Sequence, residues 1–444
     1  MIGTPIVDFV EKYAKENKAR FHMPGHKGVP FLGLEPLDIT EIDGADDLYH
    51  ADGIILESEK NASSLFGTSR TVYSTGGSTQ SIQAMLFTAF QRADKTENPF
   101  ILAGRNAHKA FIYGVAKLGV DVEWLYPEEN NGICSCSITA QKIDAVLASA
   151  SKKPFAVYIT IPDYLGGMAD IKGISEVCRK HKLPLLVDNA HGAYLAFCKE
   201  NLHPISLGAD MCCDSAHKTL PVLTGGSYLH CAKSDIYGFA DKIKAATALF
   251  GSTSPSYLVM QSLDLCNRYI DEKIREDIAF AEGKVTEIRE AMQAKGIDEI
   301  SSEPLKITAR YPDAAYFRAV GIEPEYADGE FVSFMASSFN SNEDFEKLIA
   351  AFENIPSYKA GVKQSLGFVK HERVMSIREA MFAESEMVGV DEAIGKICAA
   401  PTVSCPPAIP IAVSGEKITQ EHIAIFKAYS INRIAVVKHQ VKEC

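Results

Sequence analysis

Two stretches of this chain carry residues whose types and spacing suit chemistry. The first is Asp210-Met-Cys-Cys-Asp-Ser-Ala-His-Lys218, a short apolar strand that delivers a hydroxyl, an imidazole and an amine at Ser215, His217 and Lys218. A lysine beside a histidine in a shielded place is a candidate Schiff-base amine, because desolvation and a cationic neighbour both disfavour its ammonium form. Alone, Ser-x-His-Lys reads more simply as a solvated lysine after a buried strand. The second stretch, Leu183-Pro-Leu-Leu-Val-Asp-Asn-Ala-His191, shifts that balance: it is as apolar as a buried parallel strand and then stops at Asp188, with His191 just beyond.

Other segments repeat the plan. Thr75-Gly-Gly-Ser-Thr79 follows an apolar run and opens a helix, His108 follows the next strand at a helix start, and Thr160 and Asp163 follow a third. In an open parallel sheet ligands bind beyond the carboxyl ends of the strands. Any one of these groups could be a helix cap or a satisfied core polar residue. Five strand ends on one rim, each with a useful group, are hard to assign to packing alone. Gly77, Ser78 and Thr79 at a helix N-terminus offer backbone N–H groups, hydroxyls and the positive end of the dipole, which suits a phosphate. Neither a Walker loop nor a dinucleotide Gly-x-Gly-x-x-Gly is present. Asp188 suits a protonated ring nitrogen, Lys218 an aldehyde and His108 a ring face. Phosphate, pyridinium and aldehyde together describe pyridoxal 5′-phosphate, an electron sink.

The elements that position these groups alternate. Residues 1 to about 18 form an amphipathic helix, and a loop-rich acidic segment runs to about 57. From 58 the chain alternates helix and strand: runs at 71–74, 99–103, 120–125, 154–160, 183–188 and 210–214 are separated by helical patterns, and 225–230 adds a further strand. This implies βαβ crossovers and a mainly parallel, doubly covered sheet of seven strands. A charged helical stretch at about 255–296 reads as a solvated face linking two domains. Strands at 304–308 and 330–335 and a helix at 342–352 suggest a smaller α+β domain, and the Pro-rich run Cys405–Glu416 an extended segment. The expected division is an N-terminal segment at 1–57 packing on a dimer, a large domain at 58–296 and a C-terminal domain at 297–444.

Bulk properties narrow the partners. The 444 residues hold 45 Lys plus Arg against 57 Asp plus Glu, a formal charge of −12. That disfavours nucleic acid and anionic membranes, which select basic surfaces. No apolar run approaches the roughly 20 residues that span a bilayer, and the N-terminus lacks the pattern of a secretory signal. Eleven cysteines sit mostly in apolar segments, as reduced cysteines pack in the cytoplasm. Cys134-Ser-Cys136 lacks zinc-knuckle spacing and reads as a loop, so no metal site is expected.

Taken collinearly, the motifs resemble the bacterial Orn/Lys/Arg decarboxylase family, a branch of the fold-type I (aspartate aminotransferase-like) pyridoxal-phosphate enzymes. The matching stretches are Phe21-His-Met-Pro-Gly-His-Lys-Gly28, Thr75–Thr79, Val187-Asp-Asn-Ala-His-Gly192, Ser215-Ala-His-Lys218, Ser252-Thr-Ser-Pro-Ser-Tyr257, Arg378-Glu-Ala380, and Pro406-Pro-Ala-Ile-Pro410 with Gly415-Glu416. The resemblance implies decarboxylation of arginine, lysine or ornithine, as in polyamine biosynthesis. It implies that Lys218 bonds the cofactor aldehyde, Asp188 pairs with the pyridine nitrogen and His108 stacks on the ring. Gly77, Ser78 and Thr79 would hold the phosphate with Ser215 and His217, while Thr160 and His191 neighbour the cofactor. Ser252 and Thr253 would reach the phosphate from a partner subunit, implying a homodimer, and Glu416 would face the distal cation of the substrate. Asn189, Ser414 and Ile377 stand where the family usually has Glu, Pro and Pro. The chain resembles the short form without an N-terminal wing domain, so a decamer is not expected. Two alternatives stay open: another fold-type I reaction such as aminotransfer or elimination, and a non-catalytic paralogue.

Overall fold

The computed structural model describes residues 2–94, 98–128, 132–356, 366–368, 370, 372–403 and 408–438; Cys405, Pro406 and Pro407 of the Pro-rich motif lie outside the described residues. In chain order the first elements are α1 (Pro5–Lys15), α2 (Ile54–Phe66), β1 (Arg70–Ser74), α3 (Gly77–Phe90), β2 (Phe100–Gly104), α4 (Lys109–Leu118), β3 (Asp121–Leu125), α5 (Ala140–Ser149), β4 (Val157–Thr160), α6 (Ile171–His181), β5 (Leu185–Asp188), β6 (Met211–Asp214), α7 (Ala216–Thr219) and β7 (Ser227–Cys231). Helices α8 (Ile243–Phe250), α9 (Tyr257–Glu272) and α10 (Ile274–Ala294) follow. The rest holds β8 (Lys306–Ala309), α11 (Ala314–Ala319), β9 (Tyr326–Ala327), β10 (Val332–Met335), α12 (Asn342–Glu353), α13 (Ile377–Phe382), β11 (Ser385–Gly389), β12 (Thr402–Val403), β13 (Pro410–Ala412), α14 (Gln420–Ala428) and β14 (Arg433–Val437).

Seven strands form one sheet in the order β1-β7-β6-β5-β4-β2-β3. The pairs β2–β3, β2–β4 and β5–β6 are parallel, while β7 runs antiparallel to β1 and β6. The mainly parallel α/β architecture expected from the alternation is therefore present. Strands β5 and β6 are wholly buried, as strands covered on both faces must be, which is why each reads as an apolar run closed by an acid.

Two compact units can be described. The first comprises Met1–Gln91, Pro184–Gly283 and Ser337–Asn340. Within it Asp264 of α9 is fully buried and accepts from Ile6 N–H and Val7 N–H at 2.9 and 3.1 Å, satisfying orphan donors of the first turn of α1. Ser58 donates to its other oxygen at 2.5 Å, and Asn267 donates to Tyr73 Oη at 2.7 Å. The expectation of a solvated linking helix therefore fails for α9. Its acid and amide serve buried partners on α1, α2 and β1, and the charge pattern alone does not distinguish that from solvent.

The second unit comprises Arg92–Leu183, Lys284–Ala336 and Ser341–Cys444. Its sheet β8-β10-β9 and the strand pairs β11–β14 and β12–β13 are antiparallel. A core through Ile133, Phe331, Ile411, Phe426 and Val436 holds its later strands together. Arg378 of the Arg-Glu-Ala motif donates to the carbonyls of Ala116 and Lys117 at 3.0 and 2.9 Å, capping the C-terminal end of α4 where carbonyls lack partners.

Candidate active site

In the first unit, β5 and β6 lie side by side with Asp188 opposite Cys213, so the turns that leave the two strands start together. Asp188 is 1% exposed and accepts from Ala190 N–H at 3.2 Å and from the Cys213 thiol at 3.7 Å. The turn closes with Gly192 N–H donating to Asn189 C=O at 2.9 Å. A Cβ on Gly192 would sit 2.1 Å from Asn189 Oδ1, so a side chain there would displace the Asn189 amide. This turn carries His191 to 3.1 Å from Lys218, Nε2 to Nζ.

Lys218 is not on the strand that the sequence suggests. β6 ends at Asp214, and Lys218 lies on the four-residue helix α7. Coiling the chain there turns His217 onto Gly226 C=O, to which its Nδ1–H donates at 2.9 Å. Burial lowers the pKa of His217 and the Lys218 charge adds to that, while the Gly226 carbonyl opposes both. His217 is thus biased towards the neutral ring with its proton on Nδ1.

The start of α3 adjoins α7. Gly77 has φ +69°, donates to Gly225 C=O at 2.8 Å, and would place a Cβ 4.0 Å from His217 Cε1. The helix has no side-chain cap among the described residues, so the N–H groups that follow Gly77 in its first turn can face an anion together with the hydroxyls of half-buried Ser78 and exposed Thr79. Ser215 is fully buried, yet its Oγ has no hydrogen-bond partner among the described residues. A buried hydroxyl without a partner is costly unless something else satisfies it. An uncapped helix end, this hydroxyl, an amine and a buried acid within one unit fit a phosphorylated pyridine aldehyde.

In the same unit Ser252 and Thr253 are exposed, Ser252 Oγ accepting from Ser254 N–H at 3.1 Å. The remaining sequence candidates belong to the second unit. His108 caps α4, its Nδ1 accepting from Ala110 N–H at 3.1 Å. Thr160 ends β4, and its Oγ1 is buried with no partner among the described residues. Asp163 is buried and accepts from Leu165 and Gly167 N–H. Glu416 is 4% exposed, and its Oε2 accepts from Val413 N–H at 2.8 Å and lies 3.5 Å from Arg105 Nη2. Burial raises the Glu416 pKa and Arg105 opposes the rise.

Sequence reasoning missed two features. One is Arg105, three residues before His108, which also donates to Pro410 C=O and Ile411 C=O at 2.7 and 3.0 Å. The other is Asp214, fully buried, whose Oδ2 lies 3.0 Å from His203 Nε2 and 3.2 Å from His230 Nε2. An acid closing an apolar run was the only available signal for Asp214. Cys134 and Cys136 lie in irregular backbone, with burial pushing their thiols up to about 12 and about 11.

The sheet order, the Asp188 strand end and the following lysine turn define a fold-type I enzyme of the pyridoxal-phosphate class. The model of the Orn/Lys/Arg decarboxylase major domain matches residues 4–311, and that of the family's C-terminal domain matches residues 365–432. The chain belongs to the Orn/Lys/Arg decarboxylase family and is a pyridoxal-phosphate-dependent decarboxylase. It is 28% identical to the uncharacterised protein YaaO of Bacillus subtilis, over 95% of this chain and 93% of that one. It is 27% identical to an arginine decarboxylase of Halalkalibacterium halodurans, over 96% and 93% of the two chains. Its fold is similar to that of the lysine decarboxylase LdcF of Francisella novicida, with a TM-score of 0.80 and 16% identity, covering 98% of this chain and 81% of that one. Among the described residues no helix is long and apolar enough to cross a membrane.

Proposed function

We propose that this protein decarboxylates a basic L-amino acid, arginine first among the three, to the corresponding amine and CO2. The Lys218–His191 contact beside the buried Asp188 carries this reading, and near full-length similarity to proteins named arginine decarboxylase favours arginine. The bound cofactor would supply an electron sink for the pair left behind by departing CO2. Lys218 would tether its aldehyde until substrate displaces it. Asp188 would hold the proton on the ring nitrogen, and its burial makes that charge interaction strong. Ser78, Thr79, Ser215 and His217 would anchor the phosphate beside Gly77, with Thr160 and His191 near the cofactor and His108 against the ring. Lys218 would return a proton to Cα, or His217 once its Nε2 has gained one, since its Nδ1–H is held by Gly226 C=O.

Val413 N–H and Arg105 Nη2 both address Oε2 of Glu416, so in this reading Oε1 serves the distal cation of the substrate. The active form would be a cytoplasmic homodimer in which Ser252 and Thr253 complete the partner's phosphate site. Supporting this are exposed apolar side chains in the N-terminal loop, with Phe21 97%, Phe31 91% and Leu32 84% exposed.

The test is direct. The purified protein with pyridoxal 5′-phosphate is offered L-arginine, L-lysine and L-ornithine, and CO2 is measured together with agmatine, cadaverine and putrescine. Agmatine should dominate. An oxo-acid product without CO2 would transfer the protein to aminotransfer, and no product from any of the three would reject the reading.

A further inference from the structure

The most unusual buried polar group that the proposed chemistry leaves unused is Asp214. Four donors surround it: His203 Nε2–H and His230 Nε2–H on Oδ2, and the Asn189 amide at 2.8 Å with the Cys212 thiol at 3.6 Å on Oδ1. The ring tautomers follow from the outer contacts. His203 Nδ1 accepts from Ile205 N–H at 3.3 Å, so its proton sits on Nε2. His230 Nδ1 lies 2.8 Å from Thr71 Oγ1, whose hydroxyl can donate to it. The three side chains have the types and spacing of a metal site. A neutral His203 ring that accepts at Nδ1 keeps its proton on Nε2, the nitrogen a metal would need, so the arrangement is that of a carboxylate ringed by hydrogen-bond donors. Its carboxyl is held well below the usual range: burial pushes it up, but the two imidazoles outweigh that.

What this anion holds is the catalytic turn. Asn189 is fully buried and directly follows Asp188; its side chain donates to Asp214 while its backbone closes the turn that brings His191 to Lys218. Asp214 in turn immediately precedes Ser215 and α7. Beside the backbone bond from Asn189 N–H to Cys213 C=O at 2.9 Å, the side-chain hydrogen bond between Asn189 and Asp214 ties together the two turns that carry Asp188 and His191 on one side and Ser215, His217 and Lys218 on the other.

We propose that Asp214, acting through Asn189, is the positioning residue that sets the Asp188–Gly192 turn against Lys218. Resting on the decarboxylase reading, this names the residues that set its geometry. It also accounts for an amide at position 189: a second carboxylate there would face Asp214 at hydrogen-bond distance with no proton to share, and like charges so placed repel.

The experiment uses Asn189→Asp and the exchanged pair Asn189→Asp with Asp214→Asn, which reverses donor and acceptor but restores one bond. Three quantities are read: the dissociation constant of the cofactor-free protein for pyridoxal 5′-phosphate, the pH profile of the bound cofactor's visible absorbance, and the melting temperature. Asn189→Asp should weaken cofactor binding about tenfold and shift the absorbance profile. The exchanged pair should recover binding to within about threefold and restore the profile. If Asn189→Asp binds cofactor with unchanged affinity and profile, or if the exchange recovers melting temperature alone, Asp214 is structural and the proposal is overturned. If the exchanged pair does not fold, Asn189→Ser, which leaves Asp214 short of one donor without adding charge, must show the same direction of change in affinity and profile, and its silence overturns the proposal. Failure of the natural protein to bind pyridoxal 5′-phosphate would instead count against the decarboxylase reading.

Discussion

Lys218 Nζ and His191 Nε2 lie 3.1 Å apart although 27 residues separate them in the chain. A lysine can only donate in that contact unless it has lost its proton, so a protonated Lys218 fixes His191 as an acceptor at Nε2 with its own proton on Nδ1. Substituting either residue should have distinct effects. Lys218→Ala should remove turnover, by about four orders of magnitude or more, and abolish the cofactor-sized mass increment left after borohydride reduction. His191→Ala should retain that increment and lower kcat by about 10- to 100-fold.

Asp188 accepts from Ala190 N–H and the Cys213 thiol in a fully covered position, so its charge acts in low dielectric. Asp188→Ala should still bind pyridoxal 5′-phosphate, because the anion-binding end of α3 and the Lys218 amine remain. Its kcat should fall about 10²- to 10³-fold, the scale found when one preorganised electrostatic partner is removed. Full activity in this variant would contradict the ring-nitrogen role.

Glu416 and Arg105 are 5% and 1% exposed as side chains and 3.5 Å apart. Glu416→Gln keeps the shape and the Val413 contact but not the charge. If Oε1 meets the distal cation, KM for the basic substrate should rise about tenfold or more with kcat little changed. Arg105→Met should instead destabilise, by about 3–5 kcal/mol, since it leaves a buried carboxylate without its cation. A Glu416→Gln enzyme with altered melting temperature and unaltered KM would remove Glu416 from the substrate site.

The reach of the sequence differs among these residues for physical reasons. Asp188 stood out because a strand buried on both faces is an uninterrupted apolar run, and a carboxylate that ends one is conspicuous. Lys218 stood out by type, but its helical turn did not, since four residues between a strand and a loop leave no periodicity to read. The Asp214 cluster was invisible: His203 comes from a loop and His230 from an antiparallel strand, and only the folded chain brings them within reach of one carboxylate. Asp264 on α9 shows the reverse error, since an acid among charged helix positions looks solvated until α1 is found using it as a cap.

The exposed apolar loop yields a prediction about assembly. Phe31 and Leu32 project large apolar side chains from a segment whose backbone is held by Glu35, which accepts from Leu32 and Gly33 N–H at 2.5 and 2.8 Å. Those backbone hydrogen bonds draw the Glu35 carboxyl down to about 2, so the loop keeps its shape over the ordinary pH range. If the loop docks on a second copy, the double substitution Phe31→Asp, Leu32→Asp should shift a dimer towards monomer in light scattering, each burial being worth roughly 1.5–3 kcal/mol. Because Ser252 and Thr253 would then be lost to the partner's site, activity should become dependent on protein concentration. A dimer unchanged by the substitutions would exclude this loop from the interface.

Glu303 gives a pH dependence with a defined sign. It is 2% exposed, its Oε2 has no hydrogen-bond partner among the described residues, and burial raises its carboxyl to about 7 although Lys306 opposes the rise. A group whose folded pKa exceeds its unfolded one binds protons more tightly in the folded state between those two values, so stability falls as pH rises from about 4.5 through about 7. Glu303→Gln removes the ionisation. In denaturant unfolding it should match or trail the natural protein near pH 5 and exceed it near pH 8, by at most about 3 kcal/mol. The reversed order, a variant weaker at pH 8 than at pH 5 relative to the natural protein, would mean that the ionised Glu303 is stabilised by Lys306 more than burial penalises it.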